Sequence, residues 1–199
     1  VTVAVIDVGY GNIGSIARAF AQLGAPVRRT AEPGEIAAAS HVVLPGVGAA
    51  GHAMERLESL GIADRLRAMT RPLLGICLGM QLLFERLEEG DTSGLGILPG
   101  TVRRIAPAPG LKVPHMGWNT VSLTESNDWV SKEVDSDFCY YVHSYYVEPG
   151  AHTIATTEYC GIEYAAMLRK DNFYAAQFHP EKSAAVGEQI IRDFLAVDN

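Results

Sequence analysis

Short apolar runs alternate with helical patterns through the first half of the chain. The apolar runs predict buried β-strands at residues 2–7, 27–30, 41–44 and 73–76. Apolar positions at helical spacing predict α-helices at residues 13–23, 35–39, 53–69 and 78–87. Strands that alternate with helices form βαβ units, whose strands lie parallel in one sheet. The first half therefore predicts a mostly parallel central sheet flanked by helices.

The second half changes to β-branched and aromatic runs separated by turns. These runs predict strands at residues 100–105, 118–123, 138–147, 153–157, 164–169 and 173–178. The turn Lys170-Asp171-Asn172 predicts a hairpin between the last two. An amphipathic pattern over residues 185–195 predicts a closing helix. With no linker or repeat in the sequence, we expect a single α/β domain over residues 1–199 whose second half is rich in antiparallel strands.

Composition narrows the classes of function. The formal net charge is −7, and the sequence has no basic stripe of the kind that binds nucleic acid. Its three cysteines include no Cys-x-x-Cys pair, and no histidine has zinc-ligand spacing, so neither a disulfide framework nor a metal site is predicted. Polar residues and glycines interrupt the longest apolar stretch, which argues against a membrane span. We expect a protein of the reducing cytoplasm.

The segment Gly75-Ile76-Cys77-Leu78-Gly79 has the layout of a nucleophile elbow, with cysteine as the nucleophile. An apolar strand runs into a turn flanked by glycines, and the predicted helix 78–87 follows. Small neighbours suit a strained turn, and the start of a helix favours the reactive thiolate. The alternative is a buried structural cysteine in a tight turn.

The tripeptide His179-Pro180-Glu181 supplies the matching base and acid. A residue before proline favours extended backbone, in which residues two apart project to the same side. His179 and Glu181 can then lie together, so that Glu181 orients His179 and His179 exchanges protons with Cys77. A satisfied imidazole and a solvated carboxylate are the alternative. Of the other histidines, only His143, in an aromatic strand, is a rival base.

Two glycine-rich loops remain. Pro45-Gly46-Val47-Gly48 follows the third predicted strand; Val47 or Gly48 could supply one N–H to an oxyanion, with the N–H of Leu78 as the second. An ordinary strand-to-helix turn is the alternative. Residues 9–14 match the dinucleotide-binding pattern Gly-x-Gly-x-x-Gly. The end of the second predicted strand offers arginines where an acidic ribose ligand is expected, so we favour a tight turn there that presents Asn12 at the surface.

With these motifs in view, the chain resembles the class I glutamine amidotransferases, and within them the glutaminase subunits of imidazole glycerol phosphate synthase in histidine biosynthesis. The matching segments are Gly11-Asn12-Ile13, Pro45-Gly46-Val47-Gly48, Gly75-Ile76-Cys77-Leu78-Gly79-Met80-Gln81-Leu82-Leu83, Pro114-His115-Met116-Gly117-Trp118-Asn119, Tyr140-Tyr141-Val142-His143-Ser144-Tyr145 and Gln177-Phe178-His179-Pro180-Glu181-Lys182-Ser183. The resemblance implies a flavodoxin-like fold and a Cys77, His179, Glu181 triad that hydrolyses glutamine through a thioester without a cofactor. It assigns glutamine recognition to Gln81, Glu85, Ser144 and Tyr145. For Gln81 and Glu85 the alternative is the solvent-facing surface of the predicted helix.

The resemblance also implies a partner. Ammonia captured as ammonium is no longer nucleophilic, and the family passes ammonia to a separate TIM-barrel cyclase in a heterodimer. The residues matching positions that face the cyclase are Asn12, Pro114, Met116, Trp118, Tyr140 and Lys182. Burial in the core is the alternative for Met116 and Trp118, and solvent exposure for Lys182. Two other functions stay open: a glutaminase for another synthase, such as that for pyridoxal phosphate or anthranilate, and a catalytically silent interaction module.

Overall fold

The computed structural model of the chain describes residues 1–9, 11–108, 110–125 and 127–198. Its helices are α1 (Ile13–Gln22), α2 (Pro33–Ala38), α3 (Ala50–Ser59), α4 (Ile62–Arg67), α5 (Leu78–Gln81) and α6 (Ala184–Leu195). Its strands are β1 (Val3–Ile6), β2 (Val27–Thr30), β3 (His41–Leu44), β4 (Leu73–Ile76), β5 (Phe84–Leu87), β6 (Thr92–Ser93), β7 (Leu98–Arg104), β8 (His115–Thr120), β9 (Ser122–Leu123), β10 (Phe138–His143), β11 (Tyr145–Tyr146), β12 (Thr153–Tyr159), β13 (Ile162–Lys170) and β14 (Phe173–Ala176). Short 3₁₀ turns lie at Glu89–Asp91, Lys132–Val134 and Pro180–Lys182.

The main sheet joins both halves of the chain. Within the described residues it has eight strands in the order β2-β1-β3-β4-β14-β13-β12-β9. The first five are parallel, and their order follows the flavodoxin-like pattern 2-1-3-4-5. The remaining pairs are antiparallel, and Lys170 pairs with Phe173 across the predicted hairpin. The predicted fold class, a mostly parallel sheet with an antiparallel second half, is confirmed.

Two smaller sheets lie beside the main one. β10 pairs with β8 in an antiparallel ribbon, and β11, β7, β5 and β6 form a second small sheet. The predicted strand 138–147 is therefore two strands in different sheets, divided at Ser144. This division matters for the site, because residues 142–145 line the same cavity as Cys77, the residue that follows β4.

Alternating side chains of the parallel strands build the core on both faces of the sheet. Val43 and Leu74 pack on the face covered by α1 and α6, where Phe20 and Phe194 contact each other edge to face. Their neighbours in sequence, such as Leu73, point to the opposite face, which α3 and α4 cover. Since both faces are covered by helices, the carboxyl edge of the parallel strands is left as the place where loops converge.

The helix predicted over residues 78–87 is wrong beyond Gln81. The chain makes one helical turn in α5 and then enters β5. The backbone carbonyls of Leu82, Leu83 and Phe84 accept hydrogen bonds from N–H groups in residues 95–98, at 2.8 to 3.1 Å. A continuing helix would need those carbonyls for its own N–H groups four residues later. Tertiary pairing thus overrides a locally helical pattern.

The region predicted as helical over residues 53–69 is two helices, α3 and α4. Gly61 separates them in the left-handed conformation, with φ of 66°. Along the described ranges, no helix combines the length and apolar character needed to cross a membrane.

Candidate active site

Cys77 occupies a strained turn between β4 and α5. Its φ of 54° and ψ of −110° lie in a region that residues with a side chain rarely adopt. Glycines allow this turn to form. A Cβ on Gly75 would lie 2.8 Å from the carbonyl oxygen of Gly79, and a Cβ on Gly79 would lie 1.9 Å from that of Leu44. The elbow predicted from the sequence is therefore present and is held by backbone packed directly against backbone.

The loop after β3 closes over this elbow. A Cβ on Gly46 would lie 2.4 Å from the backbone nitrogen of Gly79, so the loop and the elbow can approach this closely only because both residues are glycine. The contact brings Val47 and Gly48 to the same cavity as Leu78. Leu78 is the first residue of α5, where backbone N–H groups have no intrahelical acceptor.

His179 and Glu181 form a buried pair. Nδ1 of His179 lies 2.9 Å from Oε1 of Glu181, and their side chains are only 4% and 0% exposed. The backbone differs in part from the prediction: His179 is extended, but Pro180–Lys182 is a 3₁₀ turn. The turn still carries Glu181 back to His179. Because a carboxylate accepts, Nδ1 bears the proton and Nε2 is left as the basic nitrogen.

The electrostatics of His179 favour its charged form. Burial lowers the pKa of His179, but interactions with Cys77 and with the Glu181 carboxylate outweigh it and raise the pKa to about 9. Nε2 is buried and makes no hydrogen bond to the described residues. The imidazole is thus prepared to take a proton beside Cys77, and Glu181 stabilises the imidazolium that results.

Cys77 and His179 line one cavity of about 320 Å³, a size suited to a small ligand. Its wall consists of Gly46, Val47, Gly48, Cys77, Leu78, Gln81, Glu89, Pro114, Val142, His143, Ser144, Tyr145 and His179. Apart from Glu85, every residue predicted to act as nucleophile, base, oxyanion donor or glutamine ligand is in this wall, and Glu181 is bonded directly behind it.

Glu85 is not brought to the cavity. It lies on β5 and is exposed, and its Oε2 accepts a hydrogen bond from the N–H of Gly100 at 3.0 Å. Glu89 occupies the position in the cavity wall that was predicted for Glu85. Its Oε2 accepts a hydrogen bond from the N–H of Ala50 at 2.8 Å. Placing Glu85 on a helix was wrong. Several acidic residues follow Cys77 in sequence, and only the turn into β5 decides which of them faces the cavity.

His143, the rival base, has different neighbours. Burial lowers its pKa to about 3, so it stays neutral. Its Nδ1 donates to the carbonyl of Tyr145 at 2.8 Å, and its Nε2 lies 3.3 Å from both the Tyr164 hydroxyl and Nδ1 of His115. None of these hydrogen bonds is to a carboxylate. His143 therefore shapes the cavity wall and lacks the acidic partner that His179 has.

Of the residues predicted to face a partner, Pro114 lies in the cavity wall, and Met116, Trp118 and Tyr140 lie on the ribbon formed by β8 and β10. On the β8–β10 ribbon, Met116 is 62% exposed and Trp118 is 53% exposed, so the alternative of core burial is wrong for both. Trp118 pairs with Tyr140 across the ribbon, and the amino group of Lys182 lies 5.6 Å from the Tyr140 ring centre. Pro114 is exposed at the cavity mouth, and Asn12 precedes α1.

Sequence reasoning missed two residues besides Glu89. Phe138, 54% exposed, shares the outer face of the ribbon with Tyr140, two residues along the same strand. Gln177, fully buried, donates from Nε2 to Sγ of Cys77 at 3.8 Å. The alternation of β10 could have indicated Phe138, whereas Gln177 is revealed only by the pairing of β14 with β4.

In the described part of the segment 9–14, Gly9 and Gly11 both have positive φ, and Asn12 is the residue before α1. Both arginines of β2 form salt bridges: Arg28 pairs with Glu35, and Arg29 pairs with Asp7 at 2.9 Å. Tyr10 of this motif lies outside the described residues.

Known proteins resemble this chain along nearly its whole length. A family model described as glutamine amidotransferase class-I matches residues 4–197. A crystal structure of a glutamine amidotransferase shares the fold with a TM-score of 0.76 at 17% identity, covering 98% of this chain and 97% of that one. The chain belongs to the class I glutamine amidotransferase family.

Relatives with higher sequence identity show to which group within that family the chain belongs. The imidazole glycerol phosphate synthase subunit HisH of Xylella fastidiosa is 43% identical over 196 residues, 98% of each chain. The subunit of that name from Xanthomonas euvesicatoria is 44% identical over 193 residues, 97% of this chain and 96% of that one. The chain is therefore a member of the HisH subunit family.

Proposed function

We propose that the chain hydrolyses L-glutamine to glutamate and ammonia, with Cys77 as nucleophile, His179 as general acid and base, and Glu181 as the residue that orients His179. The observation that carries this proposal is the buried 2.9 Å bond between His179 and Glu181 beside a cysteine in a strained elbow. Family membership supports it, because class I members are glutamine amidotransferases.

In the first half of the reaction, Sγ of Cys77 attacks the side-chain carboxamide carbon of glutamine. The thiol proton passes to Nε2 of His179, and the imidazolium is stabilised by Glu181. The tetrahedral oxyanion is held by the N–H of Leu78 and by one N–H of the Val47 and Gly48 backbone. Collapse of this intermediate breaks the C–N bond, and His179 gives its proton to the departing ammonia. The product is a thioester on Cys77.

In the second half, water hydrolyses the thioester. Neutral His179 takes a proton from water as it attacks the thioester carbon, and the same backbone N–H groups stabilise the second oxyanion. The C–S bond then breaks, glutamate leaves, and Cys77 is regenerated. The same imidazole thus serves as acid and then as base, which requires Glu181 to hold one ring orientation throughout.

Recognition of glutamine's amino-acid end falls to Gln81, Glu89, Ser144 and Tyr145 in the same cavity wall. Glu89 replaces Glu85 in this proposal, because its carboxylate is at the cavity and can pair with the substrate ammonium. The N–H groups of residues 144–145 and the amide of Gln81 provide polar partners for the substrate carboxylate and ammonium.

The ammonia acceptor is proposed to be a TIM-barrel cyclase that forms a heterodimer with this chain in the cytoplasm. The relatives' printed name, imidazole glycerol phosphate synthase subunit, supports a partner in that synthase. The exposed apolar side chains Met116 and Trp118, beside Pro114 and Tyr140, give such a partner a surface next to the cavity mouth. Asn12 and Lys182 complete the proposed contact. Ammonia released there would pass into the cyclase before water protonates it.

A glutaminase assay with and without the cyclase and its ligand tests this proposal. We expect weak hydrolysis by the chain alone, a marked rise when cyclase and ligand are added, and none with Cys77→Ala. Vigorous turnover without a partner would contradict the partnership. Activation by a different synthase would assign the chain to another pathway, and inactivity in every combination would support a silent interaction module.

A further inference from the structure

Gln177 is a buried polar residue that the proposed triad does not use. It follows β14 directly, just as Cys77 follows the neighbouring parallel strand β4, and Ala176 pairs with Ile76 at the ends of the two strands. The two side chains therefore emerge next to each other at the carboxyl edge of the sheet. Gln177 is 0% exposed, and its Nε2 lies 3.8 Å from Sγ of Cys77.

A row of hydrogen bonds fixes which end of the Gln177 amide faces the sulfur. The carbonyl of Tyr145 can only accept, so the atom of Gln81 that lies 3.0 Å from it must be Nε2. The same nitrogen lies 3.0 Å from Gln177, which must therefore present Oε1 to it. Nε2 of Gln177 is then left to donate to Cys77. A carbonyl two residues away in the row thus sets the polarity at the nucleophile.

The row also orients Gln81. Both N–H bonds of its amide are directed to Tyr145 and Gln177, which leaves Oε1 as the atom that Gln81 can turn to a ligand in the cavity. His143 reinforces the start of the row, because its Nδ1 also donates to the carbonyl of Tyr145. One buried side chain, Gln177, therefore connects the reacting sulfur to a substrate-binding amide.

We propose that Gln177 is a further catalytic residue: its amide N–H stabilises negative charge on Sγ of Cys77, and its amide oxygen holds Gln81 in the orientation that meets the substrate. This inference rests on the proposed function, since it takes Cys77 as the nucleophile. The contact acts whenever the sulfur is a thiolate, before attack on the carboxamide and when the thioester C–S bond breaks. No additional proton or covalent step is involved, because a neutral amide donates the hydrogen bond.

Alkylation of Cys77 by iodoacetamide as a function of pH tests the role of Gln177. Gln177→Met keeps the length of the side chain and removes both polar ends, and peptide mass spectrometry counts adducts on Cys77 separately from Cys139 and Cys160. We expect the pH of half-maximal rate to rise by about one unit, so that alkylation becomes roughly tenfold slower at pH values below the wild-type midpoint. Gln177→Glu keeps an acceptor for Gln81 but places a carboxylate at the sulfur, so its midpoint should rise further.

Phe178→Leu is the matched control, because Phe178 is equally buried on the same segment and only packs. It should lower the melting temperature and leave the alkylation midpoint unchanged. If Gln177→Met fails to fold, Gln177→Glu provides the reading. A wild-type midpoint in a folded Gln177 variant would overturn the proposal. This measurement needs neither glutamine nor cyclase, so its outcome can contradict the role of Gln177 without contradicting the proposed function. The proposed function would be contradicted by a different result, the absence of glutaminase activity in the wild-type chain with its cyclase.

Discussion

Cys77 and His179 lie past the ends of adjacent parallel strands, yet the chain holds the two side chains by different means. Cys77 is fixed by its backbone: a positive φ and three glycines that allow loop, strand and helix to touch. His179 has an unstrained, extended backbone, and a hydrogen bond to buried Glu181 sets its ring. Cys77 is therefore sensitive to added volume, whereas His179 is sensitive to changes in charge and hydrogen bonding.

Gly79→Ala should have the largest effect, because it attacks the backbone packing of the elbow. Its Cβ would lie 1.9 Å from the carbonyl oxygen of Leu44, so loop and elbow must separate. We expect glutaminase activity below detection and destabilisation of about 3 kcal/mol or more by urea unfolding. Gly34→Ala, in α2 with no atom within 4 Å of its added Cβ, is the control and should be neutral or slightly stabilising. Equal effects of the two substitutions would show that the elbow is no more sensitive to added volume than α2 is.

Glu181→Gln should differ from Gly79→Ala, because it should greatly reduce activity while changing the folded structure little. The amide keeps the shape of the carboxylate but cannot stabilise an imidazolium, so kcat should fall roughly 10²- to 10⁴-fold. Steady-state glutaminase assays of the complex measure this. Glu188→Gln, in an exposed pair with Arg192, should retain full activity. If Glu181→Gln keeps wild-type kcat, the side-chain account of His179 is wrong.

The pH dependence of the free energy of unfolding should show whether Cys77 and His179 interact. The pKa of His179 is raised from 6.5 to about 9, so the charged imidazole contributes stability below pH 6.5 that is lost as the pH rises towards 9. Cys77→Ala removes one of the two interactions that raise this pKa. The loss of stability with rising pH should therefore be smaller in Cys77→Ala than in the wild-type protein. We expect a difference on the order of 1–3 kcal/mol between the two proteins, measured by urea unfolding from pH 6 to pH 10. Parallel pH profiles would show that the thiol and the imidazole are not coupled.

A smaller effect should distinguish the two acidic residues beyond the elbow. Glu89→Gln removes a carboxylate from the cavity wall and should raise KM for glutamine by roughly tenfold, as expected for loss of one charge-assisted contact. Glu85→Gln, outside the cavity, should leave KM unchanged. Kinetics of the two variants in complex with the cyclase provide the comparison, and the opposite result would restore Glu85 to the site.

The same contrast explains how much of the site could be predicted from sequence. The elbow depends on local requirements, so glycines beside Cys77 identify it, and the His179 and Glu181 pair follows from a short spacing. Glu89 could not be predicted in this way, because residues 82–87 have helical spacing and only hydrogen bonds from residues 95–98 turn them into a strand. Gln177 was equally hidden, since its contact with Cys77 exists only through pairing of distant strands.

The proposed mechanism requires Cys77 to form a covalent bond to the side chain of glutamine. Treatment of the chain and cyclase with a glutamine analogue bearing an electrophilic side-chain carbon, followed by peptide mass spectrometry, tests it directly. We expect one adduct, on Cys77, whose formation excess glutamine prevents and His179→Ala slows. An adduct confined to Cys139 or Cys160, or none on Cys77 with the cyclase present, would contradict it.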